Sequence, residues 1–127
     1  MPELGTKERA KALQTLFYLS NTLHPYFLRL FYPERLSNES PDNVKEIGMG
    51  KIHEALKDID QQLSKQLYCT SDTLYAPDYY LFSMLNWLRI HPVDISGMDN
   101  LKAYIKRMKS HSEIQAVLGK EMQNLAA

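Results

Sequence analysis

One cysteine, one tryptophan and five glycines stand in 127 residues. The lone Cys69 excludes an internal disulfide and suits a reducing compartment. No apolar run reaches the ~18 residues that a membrane span requires. The opening MPELGTKERA has no apolar stretch of the kind a signal peptide carries. Net charge is also missing: 15 basic residues cancel 15 acidic ones. That balance argues against a nucleic-acid or anionic-membrane surface. Gly-rich phosphate loops, Gly-x-Ser-x-Gly turns and Cys-x-x-Cys pairs are absent too. The four histidines, His24, His53, His91 and His111, are scattered, with no metal-ligand spacing among them. Together these gaps point to one soluble, metal-free, cytoplasmic domain whose length suffices to bury a core.

What the chain does have is helical periodicity, and no stretch alternates as a strand would. The run Leu74–Arg89 (LYAPDYYLFSMLNWLR) is apolar almost all round. Leu81, Phe82, Met84, Leu85, Trp87 and Leu88 exceed one stripe, so this helix belongs at the centre of a bundle. Pro77 and Asp78 suit its first turn. Before it, Leu13, Leu16, Leu23, Phe27 and Leu30 recur at helical steps from about Lys7 to about Phe31, with Pro25 inside. A distortion near Asn21–His24 follows. Ser40–Pro41–Asp42 starts a second helix predicted to run to about Tyr68, with Val44, Ile47, Ile52, Leu56, Ile59 and Leu63 buried. Gly48 and Gly50 weaken that helix or admit another backbone. Cys69–Thr73 reads as a turn and His91–Gly97 as a connection. Leu101, Tyr104, Ile105 and Met108 mark a fourth helix. Ser112-x-x-Gln115 is a capping-box pattern opening a fifth. Residues 1–6 read as a linker or frayed end, and 7–127 as one all-α, five-helix domain.

Among residues that carry chemistry, His24 sits beside the Pro25 distortion. Its imidazole either donates a hydrogen bond to a bound thiolate or acid, or caps a carbonyl, or faces solvent. Most of the aromatics, Tyr79, Tyr80, Phe82 and Tyr104 among them, read as core; Trp87 needs a partner for its indole N–H, and a few tyrosines suit an apolar groove for a small ligand. Cys69 follows a helix end, where nothing lowers a thiol's pKa, and reads as inert.

Three segments carry a resemblance. They are LFYLSNTLHPYFLRLF (16–31), APDYYLFSMLNW (76–87) and NLKAYIKRMKSHSEIQAVL (100–118). In order and spacing they resemble the C-terminal helical domain of cytosolic glutathione transferases, nearest the bacterial beta class, over about residues 7–120. The resemblance implies a helical bundle that normally follows a thioredoxin-like domain holding most of the glutathione site. It implies an auxiliary catalytic role for His24 near the glutathione sulfur. It implies a place for Trp87 by the electrophile groove, and a folding role for Asp78, whose carboxylate would accept the N–H of the cap residue. Phe17 aligns with an asparagine that helps bind substrate in some members. Tyr75 replaces the cap hydroxyl, Ser71 a usual glycine and Pro77 a usual alanine.

On that resemblance the chain is a fragment of a longer protein or a gene for the helical half alone. It is inactive by itself and needs glutathione as co-substrate only beside the missing domain. The partners implied are a second copy or a thioredoxin-like protein. The alternative is a non-enzymatic interaction or dimerisation module.

Overall fold

The computed structural model describes residues 1–126, and among these every regular element is helical. The helices are α1 (Lys7–Tyr18), α2 (His24–Phe31), α3 (Pro41–Leu63), α4 (Ala76–Asn86), α5 (Asp99–Lys109) and α6 (Ser112–Ala126). A π-turn, Leu19–Leu23, joins α1 to α2 without a break, so the six segments make five rods. In that turn the His24 N–H bonds the Leu19 carbonyl, five residues back. The wider ring gives Pro25 room where an α-helix would press its ring against a carbonyl one turn earlier. The distortion predicted from Pro25 takes this form. α1 packs on α4, and α2 packs on α3.

α4 lies at the centre, with Pro77, Asp78, Leu81, Phe82, Met84 and Leu85 buried. Around it close Leu19, Leu23, Phe27 and Leu30 from the first rod, Ile52, Leu56, Ile59 and Leu63 from α3, and Leu101, Tyr104 and Met108 from α5. Burying each large apolar side chain is worth about 1.5–3 kcal/mol. The core therefore needs no covalent brace.

Several details differ from the periodicity reading. Leu13 is exposed, and Leu19, outside the predicted series, is buried. Ile47 also faces solvent, while Gly48 beside it is buried. A Cβ on Gly48 would stand 2.9 Å from Arg29 Cβ and 3.4 Å from the Tyr26 carbonyl oxygen. The glycine therefore marks a close approach of α2 to α3, and Gly50 has no such neighbour. α3 stops at Leu63, where the Ser64 N–H closes the last turn on Asp60 and Gln61 carbonyls. Tyr68 is then free to face Tyr104 and His111. Asp60 serves another helix: its carboxylate accepts the Leu101 N–H at 2.8 Å and so caps the start of α5. At α6 the Gln115 N–H bonds the His111 carbonyl at 3.0 Å. The cap position is thus His111, one residue before the serine of the predicted box.

Candidate functional site

α2 and α4 bring a set of rings together. His24, Phe27 and Phe31 fall at three- and four-residue steps on one face of α2. Tyr80 and Trp87 sit seven residues apart, which places them on one face of α4 and its 3₁₀ extension. Where the two faces meet, the His24 ring stands 5.2 Å from Trp87, centroid to centroid. The Phe27 and Phe31 rings each meet Trp87 edge-on at 5.3 Å, and His91 meets Phe31 edge-on at 4.7 Å. Such edge-to-face pairs add about 0.5–1.5 kcal/mol each beyond burial. His24 Nδ1 lies 2.5 Å from the Tyr80 hydroxyl oxygen. Phe27 is fully buried, whereas His24, Phe31, Tyr80 and Trp87 are half-buried. The cluster is therefore a wall, with one side in the core and the other open.

The structure thus brings His24 and Trp87 together and adds Tyr80 as a second partner of His24. It does not add Phe17, which lies beyond the π-turn, 63% exposed and outside every ring pair of the cluster. Sequence reasoning ranked Tyr80 with the general core tyrosines. The signal for it was its seven-residue spacing from Trp87, but its partner lies 56 residues away.

Asp78 anchors a second, buried constellation behind the wall. It is fully buried, and its carboxylate accepts four hydrogen bonds. Oδ1 takes the Cys69 N–H at 2.9 Å, the Cys69 S–H at 2.9 Å and the Tyr104 O–H at 3.0 Å. Oδ2 takes the Tyr75 N–H at 3.0 Å. The Tyr75 side chain makes no cap bond in return, and the Asp78 N–H goes to the Tyr75 carbonyl oxygen at 3.0 Å. Position at the positive end of α4 adds to this stabilisation of a buried carboxylate. Burial, then the Asp78 charge and its hydrogen bond, push the Cys69 thiol far above its ordinary pKa. The thiol therefore stays protonated and is no nucleophile.

Two recesses lie apart from the rings. One, about 860 Å³, runs between α1 and the end of α3, and Lys11 bridges it to Gln66 at 2.9 Å. Its lining mixes Lys11, Lys65, Asp58 and Tyr18 with glutamine and serine side chains, which offer hydrogen bonds, and the buried Cys69 thiol in it is the protonated one described above. The other, about 250 Å³, opens between α4 and α6 over Phe82, Ile114 and Leu118. Among the described residues no three His, Cys, Asp or Glu side chains converge as metal ligands. No described helix is long and apolar enough to cross a membrane.

Residues 18–112, three quarters of the chain, match the family described as glutathione S-transferase, C-terminal domain. The chain belongs to this family. Its similarity to glutathione S-transferase GstA of Escherichia coli O157:H7 is 25% identity over 113 residues, 89% of this chain and 54% of that protein. To glutathione S-transferase GST-4.5 of Xanthomonas campestris pv. campestris it is 28% over 120 residues, 93% and 59% respectively. A bacterial beta class glutathione S-transferase from Sphingomonas chungbukensis superposes with a TM-score of 0.83 at 29% identity, covering 94% of this chain and 57% of that one. The chain thus spans little more than half the length of the curated relatives it matches. Its all-helical bundle around a buried α4 is the glutathione S-transferase C-terminal fold.

Proposed function

We propose that the domain from Lys7 onward forms the electrophile-facing wall of a glutathione transferase and acts only beside a thioredoxin-like unit that binds glutathione. The ring cluster of His24, Phe31, Tyr80 and Trp87, half open on one side, is the observation that carries this reading. In the reaction the glutathione sulfur, as thiolate, attacks an electrophilic carbon of an apolar substrate. A carbon–sulfur bond forms, and the leaving group departs with its electron pair. His24 donates a hydrogen bond to the sulfur and lowers the cost of its charge. Trp87 and its neighbouring rings hold the electrophile close and keep water away. Phe17, outside the cluster, offers an apolar contact to a unit docked on α1. Asp78 acts in folding alone.

Nothing in the ring wall binds the peptide part of glutathione, so residues 1–127 with glutathione and a chloronitrobenzene should show no conjugation above the uncatalysed rate. Clear glutathione-dependent conjugation would overturn the division of labour. Trp87 is the sole tryptophan. The aryl group of an unreactive S-aryl thioether of glutathione should reach these rings without the peptide part being held, so at high probe concentration the Trp87 fluorescence should respond saturably, and a flat titration would remove the wall from the substrate site.

A second reading is a non-enzymatic interaction module. It is favoured by Leu13 and Phe17, one helical turn apart on α1 and 39% and 63% exposed. Apolar side chains left in water this way suit a second copy or a partner protein. For either reading we infer a cytoplasmic setting, in keeping with the single buried, protonated thiol.

A further inference from the structure

Neutral imidazole has one N–H and one lone pair, and the partner of one nitrogen decides the state of the other. At His24 that partner is the Tyr80 hydroxyl, at Nδ1. Among the described residues the hydroxyl has no other hydrogen-bond partner. A phenol O–H is a strong donor, and an unprotonated ring nitrogen is its natural acceptor. If Nδ1 carried the proton, the half-buried hydroxyl would have to accept, leaving its own hydrogen without a protein acceptor. The O–H therefore donates to Nδ1, and the ring hydrogen lies on Nε2. Nε2 makes no bond to the protein among the described residues. It is not sealed in either, because the buried side-chain oxygen or nitrogen lacking a partner there is Thr70 Oγ1. Ring rotation is restrained on both sides, by Trp87 at 5.2 Å and the Tyr80 ring at 5.9 Å.

We propose that Tyr80 is a positioning residue that fixes His24 as the Nε2–H tautomer, so that the wall presents one defined N–H donor to an anionic or sulfur atom of a bound ligand. A free imidazole on the same helix would divide itself between two tautomers and two ring orientations. Holding it in one gives a donor already aimed before the ligand arrives. The ligand's identity rests on the transferase reading above; the tautomer does not.

The test is the long-range proton–nitrogen spectrum of the ¹⁵N-labelled chain in alkaline buffer, with His24 assigned by its loss in His24→Gln. In the unsubstituted chain, His24 should show a pyrrole-like Nε2 and a pyridine-like Nδ1. The reverse pattern overturns the proposal. Tyr80→Phe keeps the ring and loses only the hydroxyl. It should draw the two nitrogen shifts toward each other, while Trp87 emission confirms the wall is intact. Unchanged shifts in Tyr80→Phe also overturn it. Titrating both chains with the S-aryl thioether separates the two claims. The stated tautomer with no ligand response sinks the transferase reading and leaves Tyr80's role standing. A ligand response that Tyr80→Phe leaves undiminished, with unchanged shifts, does the opposite.

Discussion

At the scale of single residues, Asp78 is fully buried and its carboxylate holds four hydrogen bonds. An ordinary cap residue is worth about 0.5–2 kcal/mol. Asp78→Ala would do more than lose a cap, because it strands the Cys69 N–H and S–H and the Tyr75 N–H, and leaves the buried Tyr104 O–H only the residue-78 backbone carbonyl, at 3.2 Å. Each buried donor left unpaired costs about 1–3 kcal/mol. We therefore expect Asp78→Ala to cost at least about 3 kcal/mol, lowering the melting temperature by roughly 10 °C. A change of only a degree or two in calorimetry would mean that water replaces the carboxylate. Half of this role was legible in the sequence: an acid in the first turn of α4, three residues after the cap. The other half was not, since Cys69 and Tyr104 lie 9 and 26 residues away and only packing brings them in. The same holds for His24, whose place beside Pro25 could be read locally but whose partner Tyr80 could not.

At the scale of elements, the helix signals in the sequence were local and strong, and the helices formed. What they could not supply was the exact seam between rods. Gly48 and Gly50 look alike in sequence and differ in space. Gly48→Ala gains about 1 kcal/mol of helix propensity but drives a methyl into Arg29 Cβ, an overlap costing about 1–3 kcal/mol. The net should be a loss, seen as a lower urea midpoint. Gly50→Ala meets nothing within 4 Å and should raise stability by about 0.5–1 kcal/mol, seen as a higher midpoint. A gain for both would mean that α2 and α3 slide apart freely. The start of α6 gives a second element-level test. The Tyr79 hydroxyl donates to Glu113 at 2.6 Å, tying α4 to α6. That bond, then burial and the Glu113 charge, push Tyr79 from an ordinary 10.0 up to about 12. The folded pKa is the higher one. The tie is therefore fully present below pH 10.0 and fades as pH climbs through about 12. Ring-carbon NMR should place the Tyr79 midpoint near that upper value and closer to 10.0 in Glu113→Ala. Equal midpoints would remove the tie.

At the scale of the molecule, the question is what covers α1. Leu13 and Phe17 form an exposed apolar pair on a helix whose other face is buried against α4. Sedimentation equilibrium should find self-association that rises with concentration and weakens in Phe17→Asp. A strict monomer at high concentration would leave the interaction reading without support. The bundle architecture itself was readable, because an all-round apolar helix has few places to go. The exposed pair was not, because spacing alone assigned Leu13 to the core. The cause lies in the π-turn. An α-helix advances 3.6 residues per revolution, so one surplus residue at Leu19–Leu23 offsets the two halves of the rod by about 100°. Upstream of it the rod turns its apolar side to α4, and downstream to α3. That single residue works like a key change in the middle of a tune. Deleting the exposed Ser20 would leave every amino acid upstream intact yet roll Lys7–Leu19 away from α4, so here the number of residues, more than their identity, sets who touches whom.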